Sequence, residues 1–162
     1  MSPCLLEPHH STRAIRRPTG RRILLSTVSS DAHTWNLVFL QLFLEEHGYA
    51  VTNLGPCVPD ELLRSAARRE RPDAIVISSV NGHGAVDGAR AVRMLRADPA
   101  TRDVPVLIGG KLSIRGAGDR DAVRALFAAG CDAVLTDQAG IDPLVGALHS
   151  ITAGVADRSV AA

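Results

Sequence analysis

The stretch Ser29-Ser30-Asp31-Ala32-His33-Thr34-Trp35-Asn36-Leu37 decides the fold. An apolar run, Ile23-Leu24-Leu25, leads into it, and Leu37-Val38-Phe39-Leu40-Gln41-Leu42-Phe43-Leu44 leads out. The pattern predicts a strand, then a polar loop, then a helix. Open α/β sheets place their ligands at the carboxyl ends of strands. An acid and an imidazole two residues apart in such a loop are a candidate ligand and its candidate hydrogen-bond partner.

The same alternation continues along the chain. Strands are predicted at 23–28, 50–54, 74–79, 104–108 and 133–136, and helices at 35–47, 59–69, 86–95, 119–129 and 141–151. Gly48 and Gly130 stand where helices close with a left-handed residue. Pro59-Asp60-Glu61 opens a helix with proline in its first turn and acids near the positive end of its dipole. The continuous apolar run Ala-Ile-Val-Ile at 74–77 suits a strand covered on both faces. Strands alternating with helices of this length give a parallel sheet with right-handed crossovers. The expected fold is α/β, a flavodoxin-like doubly wound sheet of five parallel strands. The helix at 35–47 is apolar almost all round, which predicts deep burial in the layer beside the sheet or cover for a large ligand or partner.

Residues 1–20 contain Pro3, Pro8 and Pro18, a pair of histidines and several arginines, without periodicity. A disordered amino-terminal extension is expected there, a single domain over 21–153, and a disordered tail over 154–162. At 162 residues, with 46% hydrophobic and 22% charged residues, the chain suits one globular domain with its own core. A net charge of +1 gives no reason to expect nucleic acid or an anionic membrane as partner. No apolar run approaches the roughly 20 residues that span a bilayer. Cys4, Cys57 and Cys131 match neither a disulfide framework nor a zinc pattern, so a reducing, cytoplasmic setting is expected. Lys111 is the single lysine among 18 Lys and Arg residues, a bias read as coding composition.

Either half of the motif alone is weak: a loop histidine is often a surface residue, and Gly109-Gly110 can be a simple turn. The combination at three strand ends is specific. It reads Asp31-x-His33-x-x-Asn36, 41 residues, Ser78-x-Val80, 28 residues, Gly109-Gly110. This resembles the cobalamin-binding domain family, whose pattern is D-x-H-x-x-G, then S-x-L or S-x-V, then G-G, at matching separations. Within that family it is most similar to the small sigma subunits of glutamate (methylaspartate) mutase. The resemblance covers roughly 21–151, and one position departs: Asn36 stands where the family has glycine. Asparagine is among the few residues besides glycine that enter left-handed backbone.

The resemblance implies that cobalamin binds with its own base off cobalt and with His33 as lower axial ligand. Asp31 would fix the His33 tautomer. Ser78 and Ser79 would offer hydroxyls to the displaced base, and Gly109 and Gly110 would let the nucleotide tail pass. Lys111, Leu112 and Ser113 would continue that wall, Gly82 and Gly84 would widen the neighbouring loop, and Ser30, Ala32, Thr34, Asn36 and Val80 complete the expected contacts. The implied activity is that of the cofactor-binding subunit of an adenosylcobalamin-dependent mutase interconverting L-glutamate and L-threo-3-methylaspartate. It implies no catalytic side chain in this chain and a larger, barrel-type partner subunit carrying the substrate site.

Other readings fare less well. A methyltransferase corrinoid carrier usually adds a helical bundle, and a cobalamin-responsive regulator a DNA-binding domain. A scaffold that has lost the cofactor is favoured only by Asn36. A phosphoreceiver needs an aspartate after the third strand, where Ser78-Ser79-Val80-Asn81 stands. The chain has no G-x-G-x-x-G after its first strand and no G-x-S-x-G elbow.

Overall fold

The computed structural model describes residues 18–115, 119–136 and 140–160. Most of the expected amino-terminal extension lies outside these residues. The elements alternate as predicted: β1 (Arg22–Ser26), α1 (Trp35–Glu46), β2 (Ala50–Asn53), α2 (Asp60–Glu70), β3 (Ala74–Ser79), α3 (Gly84–Ala97), β4 (Val106–Gly110), α4 (Arg120–Ala129), β5 (Ala133–Thr136) and α5 (Asp142–Val160). The five strands are parallel in the order β2-β1-β3-β4-β5. This is the flavodoxin-like doubly wound sheet, whose order reverses between β1 and β3.

Strand periodicity sorts the core into two layers. Leu24, Ile75, Ile77, Val106 and Ile108 face α2, α3 and α4, with Leu63, Ala66, Val92, Leu95 and Leu126 packed over them. Ile23, Leu25, Ala74, Val76 and Leu107 face α1 and α5, with Leu37, Leu40, Phe43, Leu44, Leu144 and Leu148. Ile75, Ile77, Leu107 and Ile108 are fully buried, and each such side chain contributes about 1.5–3 kcal/mol relative to exposure. Because successive residues alternate faces, Ser78 continues the Val76 side and Ser79 continues the Ile77 side. That split decides what each serine can do.

Gly109 and Gly110 end β4, paired with Ser78 and Ser79. Three expectations about elements are corrected. α3 begins at Gly84, because a Cβ there would meet Ser79 and Leu112 side chains at 2.9 and 3.0 Å, so only glycine seats the helix so near the sheet. α5 continues past the expected end at Ile151 to Val160; the glycines at 146 and 154 do not stop it. α1 is buried on one side only. Trp35, Val38, Phe39 and Leu42 are 64, 54, 52 and 57% exposed, since the layer of α1 and α5 has nothing outside it.

Among the described residues no helix is long and apolar enough to cross a membrane. Cys57 and Cys131 are free thiols, the first exposed and the second buried. Burial pushes the Cys131 thiol up to about 12. Iodoacetamide at pH 8 is therefore expected to label Cys57 in the native chain and to spare Cys131, as peptide mass mapping would read. Equal labelling of both would contradict this packing.

Candidate cofactor site

The loop between β1 and α1 is built on Asp31. Its side chain is fully buried, and every lone-pair direction is used. Oδ1 accepts the His33 backbone N–H at 3.0 Å and lies 2.6 Å from His33 Nδ1. Oδ2 accepts the Val80 N–H at 2.7 Å and is 3.0 Å from Ser79 Oγ. Burial alone pushes this carboxyl upward. The hydrogen bonds from His33, Val80 and Ser79 outweigh it and hold the carboxyl below its ordinary value. An ionised carboxylate only accepts, so His33 Nδ1 must carry the proton and donate. In the neutral ring Nε2 then keeps its lone pair. The His33 side chain is half exposed, so that lone pair is available to an electrophile arriving at the sheet edge. The described residues hold no group of three metal-binding side chains. A metal at His33 would thus take one donor from them and must bring the rest of its coordination sphere.

A second set of contacts fastens the loop to β3 and α3. Asn81 Nδ2 donates to both the carbonyl and the hydroxyl of Ser30, each at 3.0 Å. Ser30 in turn donates to Asp87, and Arg90 joins Asp87, Asp60 and Ser29 in one charged network. Ordering this loop before a ligand arrives lowers the conformational entropy lost on binding.

Beside the loop, between the sheet and α1 with α5, lies a cavity of about 300 Å³. Its floor is Val76, Ile77, Leu107 and Ile108, its walls include Leu40, Leu135, Ile141 and Leu144, and Trp35 and Phe39 lie at its α1 side. Ser78, Gly109 and Gly110 close its sheet end. Asn36 lies in the first turn of α1 and is 4% exposed; its Nδ2 donates to Ser78 Oγ at 2.9 Å, while its Oδ1 has no partner. Asn36 has ordinary helical backbone, and among the described residues the positive-φ residues other than glycine are Cys57 and Arg71. Tolerance of left-handed backbone is therefore not what asparagine supplies here; it supplies an amide.

The structure brings together Asp31, His33, Asn36, Ser78, Val80, Gly109 and Gly110, and separates others. The Ser79 hydroxyl lies between Asp31 Oδ2 and Asn81 Oδ1, on the face opposite the cavity, so it positions Asp31 instead of reaching a base. The chain leaves the cavity after Gly110. Lys111 accepts the Gly82 N–H through its carbonyl, Leu112 is buried beside Gly84, and Ser113 donates to Asp119. With Gly82 and His83, Leu112 and Ser113 line a separate groove between α3 and α4. Ala32, Thr34 and Ser30 are exposed on the loop. The contributions of Leu135, Thr136 and Gly140 to the cavity were missed. Applying the carboxyl-edge rule to the fifth strand, as to the first, third and fourth, would have found them.

Asp31→Asn is expected to destabilise the chain by about 2 kcal/mol at pH 7. Whichever way the amide turns, its NH₂ faces a backbone N–H that has lost its acceptor. The wild-type carboxyl titrates lower in the folded than in the unfolded state. Its contribution is full above the unfolded value of about 3.9 and is lost as pH falls through the lower folded value. Urea midpoints should show the deficit at pH 7 and a smaller one at pH 3. A deficit that grows in acid would contradict this.

The B12 binding domain family matches residues 21–136. A glutamate mutase sigma subunit from Halobacterium salinarum is 33% identical over 133 residues, 82% of this chain and 87% of that protein. The HTH-type transcriptional repressor CarA of Myxococcus xanthus is 32% identical over 113 residues, 70% of this chain and 36% of that protein. A signal receiver domain of a histidine kinase from Syntrophus aciditrophicus superposes with a TM-score of 0.64 at 20% identity, covering 83% of this chain and 92% of that one. That likeness shows the fold alone, since β3 here is followed by Val80-Asn81 and not by an aspartate. With its three motif blocks gathered at one sheet edge and the family matched across most of its length, this chain belongs to the B12 binding domain family.

Proposed function

We propose that this chain carries adenosylcobalamin for a carbon-skeleton mutase, and that the complex interconverts L-glutamate and L-threo-3-methylaspartate. The observation that carries the reading is the Asp31–His33 pair, which holds one imidazole nitrogen at 2.6 Å and leaves the other exposed beside the cavity. Imidazole suits cobalt, and a carboxylate on its far nitrogen raises its basicity. His33 would hold the cobalt through its free Nε2, and Asp31 fixes the tautomer and orientation of the ring. The cavity takes the displaced nucleotide tail, with Asn36 and Ser78 at its base and Gly109 and Gly110 along its passage. When bound, adenosylcobalamin supplies radical chemistry through homolysis of its cobalt–carbon bond.

This chain's own part is to bind, orient and tune, and no side chain at the site is assigned a catalytic step. The substrate site belongs to a larger, barrel-type partner subunit. That relatives from several organisms are themselves named sigma subunits supports such a partner. The test is affinity purification of the tagged chain from its own host with adenosylcobalamin present. The reading expects a larger subunit to co-purify and the complex to form 3-methylaspartate from L-glutamate, while the chain stripped of that subunit forms none. Turnover by the isolated chain, or an active complex that ignores glutamate, would contradict it.

A further inference from the structure

Between the end of β3 and the start of α3, Asn81 ties separate pieces of the chain together. Its Oδ1 accepts the His83 N–H at 2.9 Å. Its Nδ2 donates to the Ser30 carbonyl and to the Ser30 hydroxyl, each at 3.0 Å. A backbone N–H only donates and a backbone carbonyl only accepts. The amide therefore has one workable orientation, with its NH₂ toward Ser30. Ser30 immediately precedes Asp31. The Asp31 side chain is held by Ser79 and the Val80 N–H, and its carbonyl accepts the Cys57 N–H at 2.8 Å. The half-exposed His33 ring hydrogen-bonds to Asp31, so the direction of the ring follows from where Asp31 sits. Ser30 is also tied through its hydroxyl to Asp87, in the exposed network with Arg90. Exposed ion pairs hold little, whereas Asn81 grips the Ser30 backbone itself. Neither Ser30 nor Asn81 lines the cavity between the sheet and α1 with α5. A change at Asn81 thus reaches the imidazole and leaves that cavity as it is.

We propose that Asn81 is a positioning residue for the cobalt ligand. By fixing the Ser30 backbone it sets the Asp31–His33 pair, and so the direction of His33 Nε2, before a corrinoid arrives. The inference rests on the reading that His33 binds cobalt. Asn81 touches neither metal nor tail in this account and acts through Ser30 and Asp31. Its contribution is the ordering of the ligand in advance, which spares the conformational entropy otherwise lost on binding.

The test is a double-mutant cycle. Cob(II)alamin is titrated into the full chain, Asn81→Ala, His33→Ala and the double variant. The expected result is roughly 10-fold weaker binding by Asn81→Ala, with no further loss when the same change is made in His33→Ala. A residue that merely supported the fold or the cavity would cost the same in both backgrounds. Asn81→Asp keeps an acceptor for the His83 N–H and removes the donor to Ser30. It is the second variant should alanine unsettle the start of α3, and it should weaken binding as alanine does. Unchanged binding by both variants, or equal losses with and without His33, overturns the proposal while the ligand role of His33 stands. If His33→Ala by itself binds as tightly as the unaltered chain, the ligand reading fails and this inference fails with it. Hydrogen exchange checks the order of events. The His33 N–H, bonded to Asp31 Oδ1, is expected to be protected in the empty chain and less protected in Asn81→Ala. Protection that begins only when cobalamin is added overturns positioning in advance.

Discussion

Gly110→Ala is expected to cost about 3–5 kcal/mol, the sum of a strained backbone and a close contact. Gly110 has φ of +104°, which side chains rarely adopt. A Cβ built there would sit 2.3 Å from the Ser79 carbonyl oxygen, on the strand that Gly110 pairs with. The obstacle is backbone, so no rotamer relieves it, and moving it disturbs both Ser78 and the Asp31 acceptor site next to Val80. For a domain whose whole stability is about 5–15 kcal/mol this is a large fraction. Gly55 is the comparison: its φ is +81°, with open space where a Cβ would go, so Gly55→Ala should cost only about 1 kcal/mol. Urea unfolding read with unchanged slope would separate the two. Equal, small losses at both positions would mean that the β3–β4 edge is not packed as described.

The second large effect concerns binding. His33→Ala is expected to leave the fold intact, because the ring is half exposed and hydrogen-bonds to Asp31. Affinity for base-off cobalamin should fall further than for Asp31→Asn, which keeps the imidazole but loses its orienting carboxylate. Removing such a partner typically costs about 10–100-fold in metal affinity. The order wild type, Asp31→Asn, His33→Ala is the expected ranking in a spectral titration. Asp31→Asn binding as tightly as wild type would remove the carboxylate from the account. His33→Ala binding as tightly would remove the ligand.

The order of elements and the three motif blocks were legible in the sequence, because strand ends and apolar alternation are local signals. Their convergence has a plain cause: Ser78 and Ser79 pair in register with Gly109 and Gly110, and Val80 donates to Asp31. What sequence reasoning did not resolve were matters of direction. The pleat sends Ser78 into the cavity and Ser79 to Asp31, although a run of two serines invites giving both the same task. The left-handed turn at Gly110 takes Lys111, Leu112 and Ser113 away from the cavity they were expected to wall. α1 is apolar almost all round, so its pattern did not distinguish the face on the sheet from the exposed face with Trp35, Val38 and Leu42. The Asp60–Arg90 pair joins residues 30 positions apart and leaves no local trace. Asn36 was visible as a departure from the family pattern, but its meaning waited on Ser78 being 2.9 Å away.

The central claim is that His33 Nε2 binds cobalt, and electron paramagnetic resonance tests it most directly. The chain would be reconstituted with cob(II)alamin, once with natural histidine and once with nitrogen-15 histidine, beside His33→Ala. The account predicts a nitrogen splitting of the cobalt lines whose multiplicity changes with the label and which disappears in the variant. Cobalamin that binds with a splitting indifferent to the histidine label would contradict it, since the cofactor's own base would then still hold the lower face of the metal.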